Sequence, residues 1–167
     1  MPFISGCISE MKGCFIMEQT YIKEITAFDS KIVSEVNRLL EQLVSTPMTF
    51  TEEAMRAMLD SSSSHLFILF DDGKVAGMLT LGTYMSPTGA KYWVEDVVVD
   101  QAFRGRAFGR KLIDYAIAYV SRQGKSTLML TSKSARVAAN HLYQSAGFQA
   151  KQTNVYKMDF IDEASDK

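Results

Sequence analysis

Cysteine is nearly absent from this chain. Cys7 and Cys14 are the two thiols in 167 residues, and both lie near the N-terminus. Their spacing fits no metal motif, and two thiols build no disulfide framework. Histidine is as scarce. His65 and His141 offer no cluster for a metal, so no metal cofactor is expected and both rings read as surface or satisfied packing. Neither sign of charge dominates, with 18 Lys and Arg against 19 Asp and Glu and a formal net charge of -1. A sequence-independent grip on nucleic acid needs a basic excess, so that partner is disfavoured. No apolar run approaches the roughly 18 residues of a membrane span, so no membrane partner is expected. What is present, 47% hydrophobic and 22% charged residues, is the composition of a soluble globular protein of one domain.

The first 16 residues hold Gly, Ser and Cys with a lone Glu10 and Lys12. A secretory signal wants a basic start, a longer apolar stretch and a small-residue cleavage site, and these are missing. Residues 1–16 are therefore expected to be an extension outside the fold, with Met17 the physiological start. Residues 17–167 are then the working domain, and the expected location is cytoplasmic.

Periodicity divides that domain. Thr20 to Phe28 alternates as a strand does. After a cap at Asp29 or Ser30, Ile32, Val33, Val36, Leu39, Leu40, Leu43 and Val44 fall on one helical stripe, and Pro47 discourages continuation. Thr49 with Glu52 forms a capping-box pattern for a second helix through Leu59. Strands over His65–Phe70 and Lys74–Thr83 flank the turn Asp71-Asp72-Gly73. A third strand spans Lys91–Val99. A helix from about Arg106 to Gln123 turns Phe108, Leu112, Ile113, Ala116, Ile117 and Val120 inward, with Gly124 at its end. Ser126–Thr131 reads as a short strand, Ser134–Ser145 as a helix, and Phe148–Gln152 and Val155–Phe160 as two closing strands. The class is α/β or α+β with a mixed sheet and one core. The exposed edges of the closing strands would suit a homodimer.

Two segments stand out. In Arg104-Gly-Arg-Ala-Phe-Gly109, small residues between a buried-type strand and a helix start let backbone approach a ligand. Free N–H groups of the first helical turn and the positive end of the helix dipole attract an anion there. Arg104, Arg106, Arg110 and Lys111 add charge suited to a diphosphate. The competing reading is a solvated basic helix start. In the second segment, Asn140-His-Leu-Tyr-Gln-Ser-Ala-Gly-Phe148, Asn140 and Tyr143 share one helix face and Gly147 ends the helix. Here the competing reading is a Tyr that merely covers the core edge.

The stretch Val97 to Gly109 resembles the acetyl-CoA motif of the GNAT N-acetyltransferase superfamily, which reads Gln/Arg-x-x-Gly-x-Gly/Ala after an apolar strand. Arg104 and Gly109 match its ends, and Ala107 stands where the middle glycine usually does. That departure matters if the position needs positive φ, where Ala is penalised. Asn-x-x-Tyr-x-x-x-Gly-Phe resembles the family's other CoA-site motif, and Tyr156 matches its usual closing strand. The resemblance spans about Thr20 to Phe160. It implies a mixed, mostly antiparallel twisted sheet flanked by helices, with acetyl-CoA as co-substrate. Cofactor-binding residues would be Val97, Val98, Val99, Arg104, Gly105, Arg106, Ala107, Phe108, Gly109, Arg110, Asn140 and Tyr143. Tyr143 would be a catalytic acid, protonating the leaving thiolate.

Glu95 and Asp96 interrupt an otherwise apolar strand, where a carboxylate is costly unless paired or hydrated. Side chains alternate along a strand, so the two point to opposite faces and Glu95 shares its face with Val97 and Val99. Family members often carry a Glu near here that deprotonates the substrate amine. Glu95 is the candidate base, and a satisfied structural acid is the competing reading. The resemblance implies an enzyme, an N-acetyltransferase acting on a primary amine of a small molecule by direct attack. Alternatives are a protein or peptide N-acetyltransferase and a non-catalytic acyl-CoA sensor.

Overall fold

The structure, a computed structural model, describes residues 20–160. The expectations for residues 1–16 and for Met17 lie outside the described residues. The described chain divides after Thr131 into two compact units.

The first unit is a five-stranded sheet in the order β1-β2-β3-β4-β5. The strands are β1 (Thr20–Glu24), β2 (Ser64–Asp71), β3 (Lys74–Ser86), β4 (Gly89–Val99) and β5 (Ser126–Leu130). Three pairings are antiparallel, and β4–β5 is parallel. Asp72 and Gly73, at φ 48° and 75°, join β2 to β3 as a two-residue turn of the twist that hairpins favour. The helices are α1 (Ser30–Leu40), α2 (Glu52–Asp60) and α3 (Phe108–Ser121).

The α1 stripe buries Ile32, Val33, Val36, Leu39 and Leu40 against Leu66, Ile68, Val75, Met78 and Val98. Each such side chain contributes about 1.5–3 kcal/mol of burial. Asp29 is the cap, its carboxylate accepting from the Lys31 N–H at 2.9 Å. The helix stops at Leu40, short of Val44, because its last turn tightens: Leu43 N–H donates to Leu40 O at 2.9 Å. The second helix starts from Thr51, which accepts from Ala54 N–H, rather than from Thr49. Phe50 is held ahead of it by Asn37, which accepts from the Phe50 N–H at 2.8 Å and donates to its carbonyl at 2.9 Å.

On the opposite sheet face, α3 buries Phe108, Leu112, Ile113, Ala116 and Val120. Phe67 packs its ring edge against Tyr115 and Tyr119 there. Gly77 permits this closeness: a Cβ would sit 2.7 Å from Val98 O and 3.3 Å from Leu112. His65 is satisfied packing, its Nδ1 2.7 Å from the Glu24 carboxylate. His141 is exposed.

The second unit contains helix α4 (Val137–Ser145). The strands expected over Phe148–Gln152 and Val155–Phe160 do not form; that stretch has no regular structure. Val155, Tyr156, Met158 and Phe160 are 75–90% exposed. Alternation supplies a strand's side chains, but a strand exists only through pairing, and this unit holds no partner strand among its described residues. The edge a homodimer would use there is accordingly absent from the described residues.

Candidate functional site

Hydrogen-bonding direction at the end of β4 defines the first part of the site. Pairing with β5 ends at Val94 and Leu130, while β4 continues to Val99 beside β3. Asp100 N–H donates to Ala76 O across β3 at 2.9 Å. Alternation therefore turns the peptide groups of Val99 away from β3, toward the side where β5 no longer follows. An extended amide-bearing ligand can use such an edge as a further strand would.

Within this stretch the register shifts between Met78↔Val98 and Thr80↔Glu95. Two residues, Asp96 and Val97, thus stand opposite Leu79, which is a β-bulge. Asp96 takes the extra residue's left-handed conformation at φ 49°, one that Asp tolerates better than most side chains. The bulge corrects the sequence-based face assignment. By register Glu95 lies with Thr80, Met78 and Val98, on the α1 side, and not with Val97 and Val99. Glu95 and Asp96 both keep contact with solvent, yet surrounding protein displaces enough water to push both carboxyls above their ordinary range. For Glu95 the neighbouring charge of Asp96 adds to this. For Asp96 a hydrogen bond from Thr80 opposes it. A carboxylate raised this way is a stronger base than a free one.

Beyond Val99 the chain makes a single 3-10 turn, Gln101–Phe103, capped by Asp100, which accepts from Ala102 N–H at 2.7 Å. Gly105 and Ala107 follow at φ 80° and 58°. Ala107 thus occupies the left-handed region at the very position where the acetyl-CoA motif has glycine. It is also the N-cap of α3 and offers no side-chain hydrogen bond to the helix. The first N–H groups of α3, at Phe108 and Gly109, therefore receive no hydrogen bond from the side chain at the N-cap, the arrangement that receives an anion.

The cations expected around that anion make contacts within the protein. Arg104 Nε donates to Val99 O at 3.3 Å. Arg106 spans to Asp71 with contacts of 2.5 and 3.3 Å. Arg110 pairs with Asp114 one helical turn on, at 2.8 Å. Lys111 Nζ lies 5.2 Å from the Phe108 ring centre. Phe108 itself is a core side chain, 3% exposed, so only its backbone can meet a ligand. Val98 is buried too, 6% exposed, and by the same alternation its peptide groups face β3, so neither its side chain nor its backbone is turned to the open edge as the sequence-based expectation had it. The Asp71–Arg106 contact was not legible in the sequence.

In the second unit, Asn140 and Tyr143 lie on α4. Asn140 Nδ2 donates to the carbonyls of Lys133 and Ser134 at 3.0 and 3.4 Å, so its amide closes the turn before the helix. That turn explains why α4 begins at Val137 and not at Ser134. The helix ends in a Schellman motif: Phe148 N–H reaches Tyr143 O and Gly147 N–H reaches Gln144 O, each at 3.0 Å. Gly147 takes φ 99°, and the Phe148 ring packs edge-on against Tyr143 at 6.2 Å. The Gly-Phe of the motif thus fixes the Tyr143 ring. Burial pushes the Tyr143 phenol above its ordinary pKa, partly offset by the charge of Arg136, so it carries its proton at neutral pH. Among the described residues no group of three His, Cys, Asp or Glu side chains could hold a metal ion. No helix among them is long and apolar enough to cross a membrane.

Residues 36–148 match the acetyltransferase (GNAT) family. Over 79 residues the chain is 34% identical to an L-methionine sulfoximine/L-methionine sulfone acetyltransferase of Salmonella typhimurium, covering 47% of this chain. The chain thus spans about half (46%) of the length of that curated relative. Its fold is similar to an aminoglycoside acetyltransferase from an uncultured soil metagenomic sample, solved with sisomicin, at TM-score 0.75 and 16% identity, over 86% of this chain and 97% of the other. It is similar also to an aminoglycoside N-acetyltransferase solved with CoA, at TM-score 0.68 and 15% identity, over 86% and 96%. With the family match extending from α1 through Phe148, the chain belongs to the acetyltransferase (GNAT) family.

Proposed function

We propose that this chain transfers an acetyl group from acetyl-CoA to a primary amine of a small molecule, by direct attack without a covalent enzyme intermediate. The observation that carries the reading is the uncapped α3 start after a left-handed turn, at the end of a strand whose neighbour has ended. A diphosphate suits the first feature, and the amide-bearing arm of the coenzyme suits the second. The CoA bound by one structural relative and the amine-bearing sisomicin bound by another support the same substrates. The methionine-derived compounds in the name of the curated relative support a small acceptor. Residues 17–167 would be the working domain, in the cytoplasm.

In this reading the coenzyme meets the open edge of β4 at Val97 and Val99 and the turn Arg104 to Arg110, with Asn140 and Tyr143 completing its contacts. Glu95 takes the proton from the amine. An amine of pKa near 10.4 is protonated at pH 7, and freeing its base form costs roughly 4–5 kcal/mol, so a raised carboxylate is of use. A backbone N–H on the Val97–Val99 stretch receives the developing oxyanion. The phenol of Tyr143 protonates the leaving thiolate.

Release of CoA, measured over a panel of small amines and peptides, tests this. Turnover is expected with small amines, and Tyr143→Phe should lower kcat about tenfold or more with acetyl-CoA affinity retained. Turnover confined to peptides would move the acceptor to proteins. Binding of acetyl-CoA with no turnover on any acceptor would make the chain an acyl-CoA sensor.

A further inference from the structure

Two acidic side chains are buried among the described residues, Asp71 at 3% and Asp100 at 4% exposure. A buried carboxylate persists only where charge and hydrogen bonds repay its lost hydration. Both hold parts of the turn that leads into α3. Asp100 caps the 3-10 turn and forms an ion pair with Arg38. Arg38 also donates to Val75 O at 2.9 Å. Asp71, the last residue of β2, grips the other end. Its Oδ1 accepts from the Thr20 hydroxyl at 2.7 Å, and Arg106 makes the two contacts already given. Thr20 opens β1 and pairs with Asp71 across the sheet edge. The Arg106 guanidinium also lies 4.8 Å from the Phe108 ring centre and 5.9 Å from that of Phe103.

Arg106 stands between the two left-handed residues, Gly105 and Ala107. A backbone there is costly to hold, and more so with Ala than with Gly. The side chain between them is tied to the sheet by a carboxylate almost wholly covered by protein. We infer that Asp71 is a positioning residue for the anion-binding turn: by holding Arg106 against the ends of β1 and β2, it fixes the backbone N–H groups of residues 105–110 in the shape a diphosphate needs. It acts through Arg106 and touches no substrate. This inference rests on the proposed acetyl-CoA reading for its ligand, but its effect on the turn is measurable without one.

The experiment compares full-length wild type with Asp71→Asn and Arg106→Met. In the free protein, amide hydrogen exchange over residues 105–110 should quicken in both variants. With acetyl-CoA varied at saturating amine, KM for acetyl-CoA should rise roughly fivefold or more in Asp71→Asn, while its kcat and amine KM stay within about twofold; Arg106→Met, at a residue of the coenzyme turn itself, is read by exchange and by that KM alone. The double variant should be no worse than either single one, since both break one link. Thr20→Val, which leaves the ion pair in place, serves as a milder second variant and should show a smaller rise should Asp71→Asn fail to fold. Unchanged exchange and an unchanged acetyl-CoA KM in folded variants would overturn the inference, as would a loss of thermal stability and kcat with no change in that KM. Wild type that binds no coenzyme would overturn the parent reading instead, and the exchange result would still decide whether Asp71 shapes the turn.

Discussion

Ala107 shows how one methyl group bears on a site. Its φ of 58° costs an L-residue about 1–2 kcal/mol that glycine escapes. Ala107→Gly also loosens the unfolded chain, so a net gain of about 0.5–1 kcal/mol is expected. Thermal unfolding should show the variant melting higher, with acetyl-CoA affinity retained. A lower melting temperature would mean that the methyl group contributes packing worth more than the strain. At this scale the sequence was informative where one residue type does one job. Gly147 announced the end of α4, and the Schellman bonds around it show why Phe148 follows. The sequence was silent on Asp71 with Arg106, because a pair 35 positions apart becomes visible only once β2 is known to end beside the turn.

Strands and helices followed their periodicities wherever a partner was available to bury the apolar face. The α1 and α3 stripes are buried, and the Asp-Gly turn forms as its φ preferences dictate. The closing strands failed because alternation is no guarantee of pairing. The bulge in β4 was illegible for a different reason: nothing in Val-Glu-Asp-Val-Val-Val marks an extra residue except an Asp able to tolerate positive φ. Its consequence is large, since one added residue moves Glu95 to the opposite face from Val99.

That placement carries a pH prediction. Folding raises the Glu95 carboxyl above its ordinary range, so the ionised form is the disfavoured one in the folded state. Its contribution to stability is then greatest below the unfolded pKa and is lost as pH rises through the folded one. Glu95→Gln should melt higher than wild type at pH 7. A base must be ionised, so kcat/KM should fall as pH drops through the same raised value, and the variant should lose both turnover and that acid limb. A full set of melts and pH–rate curves checks this. An acid limb surviving in the glutamine variant would assign the base elsewhere.

At the scale of the whole chain, a near-neutral balance of 18 cations and 19 anions suits a small acceptor better than a nucleic acid. The cations nearest the turn already have protein partners, so in the proposed reading attraction for the coenzyme would come from backbone N–H groups and the α3 dipole more than from side-chain charge. Family and fold were legible from two short motifs because each encodes a backbone conformation as well as a contact. The acceptor was not legible, because an acceptor pocket depends on which side chains meet in space rather than on a spacing. Whether a coenzyme docks at the start of α3 is decided by calorimetric titration of the full chain with acetyl-CoA, followed by amide exchange of the complex. One coenzyme should bind per chain and be displaced by free CoA, with protection at Val99 and over residues 105–110. No heat of binding at millimolar coenzyme, or protection confined to other elements, would contradict that docking.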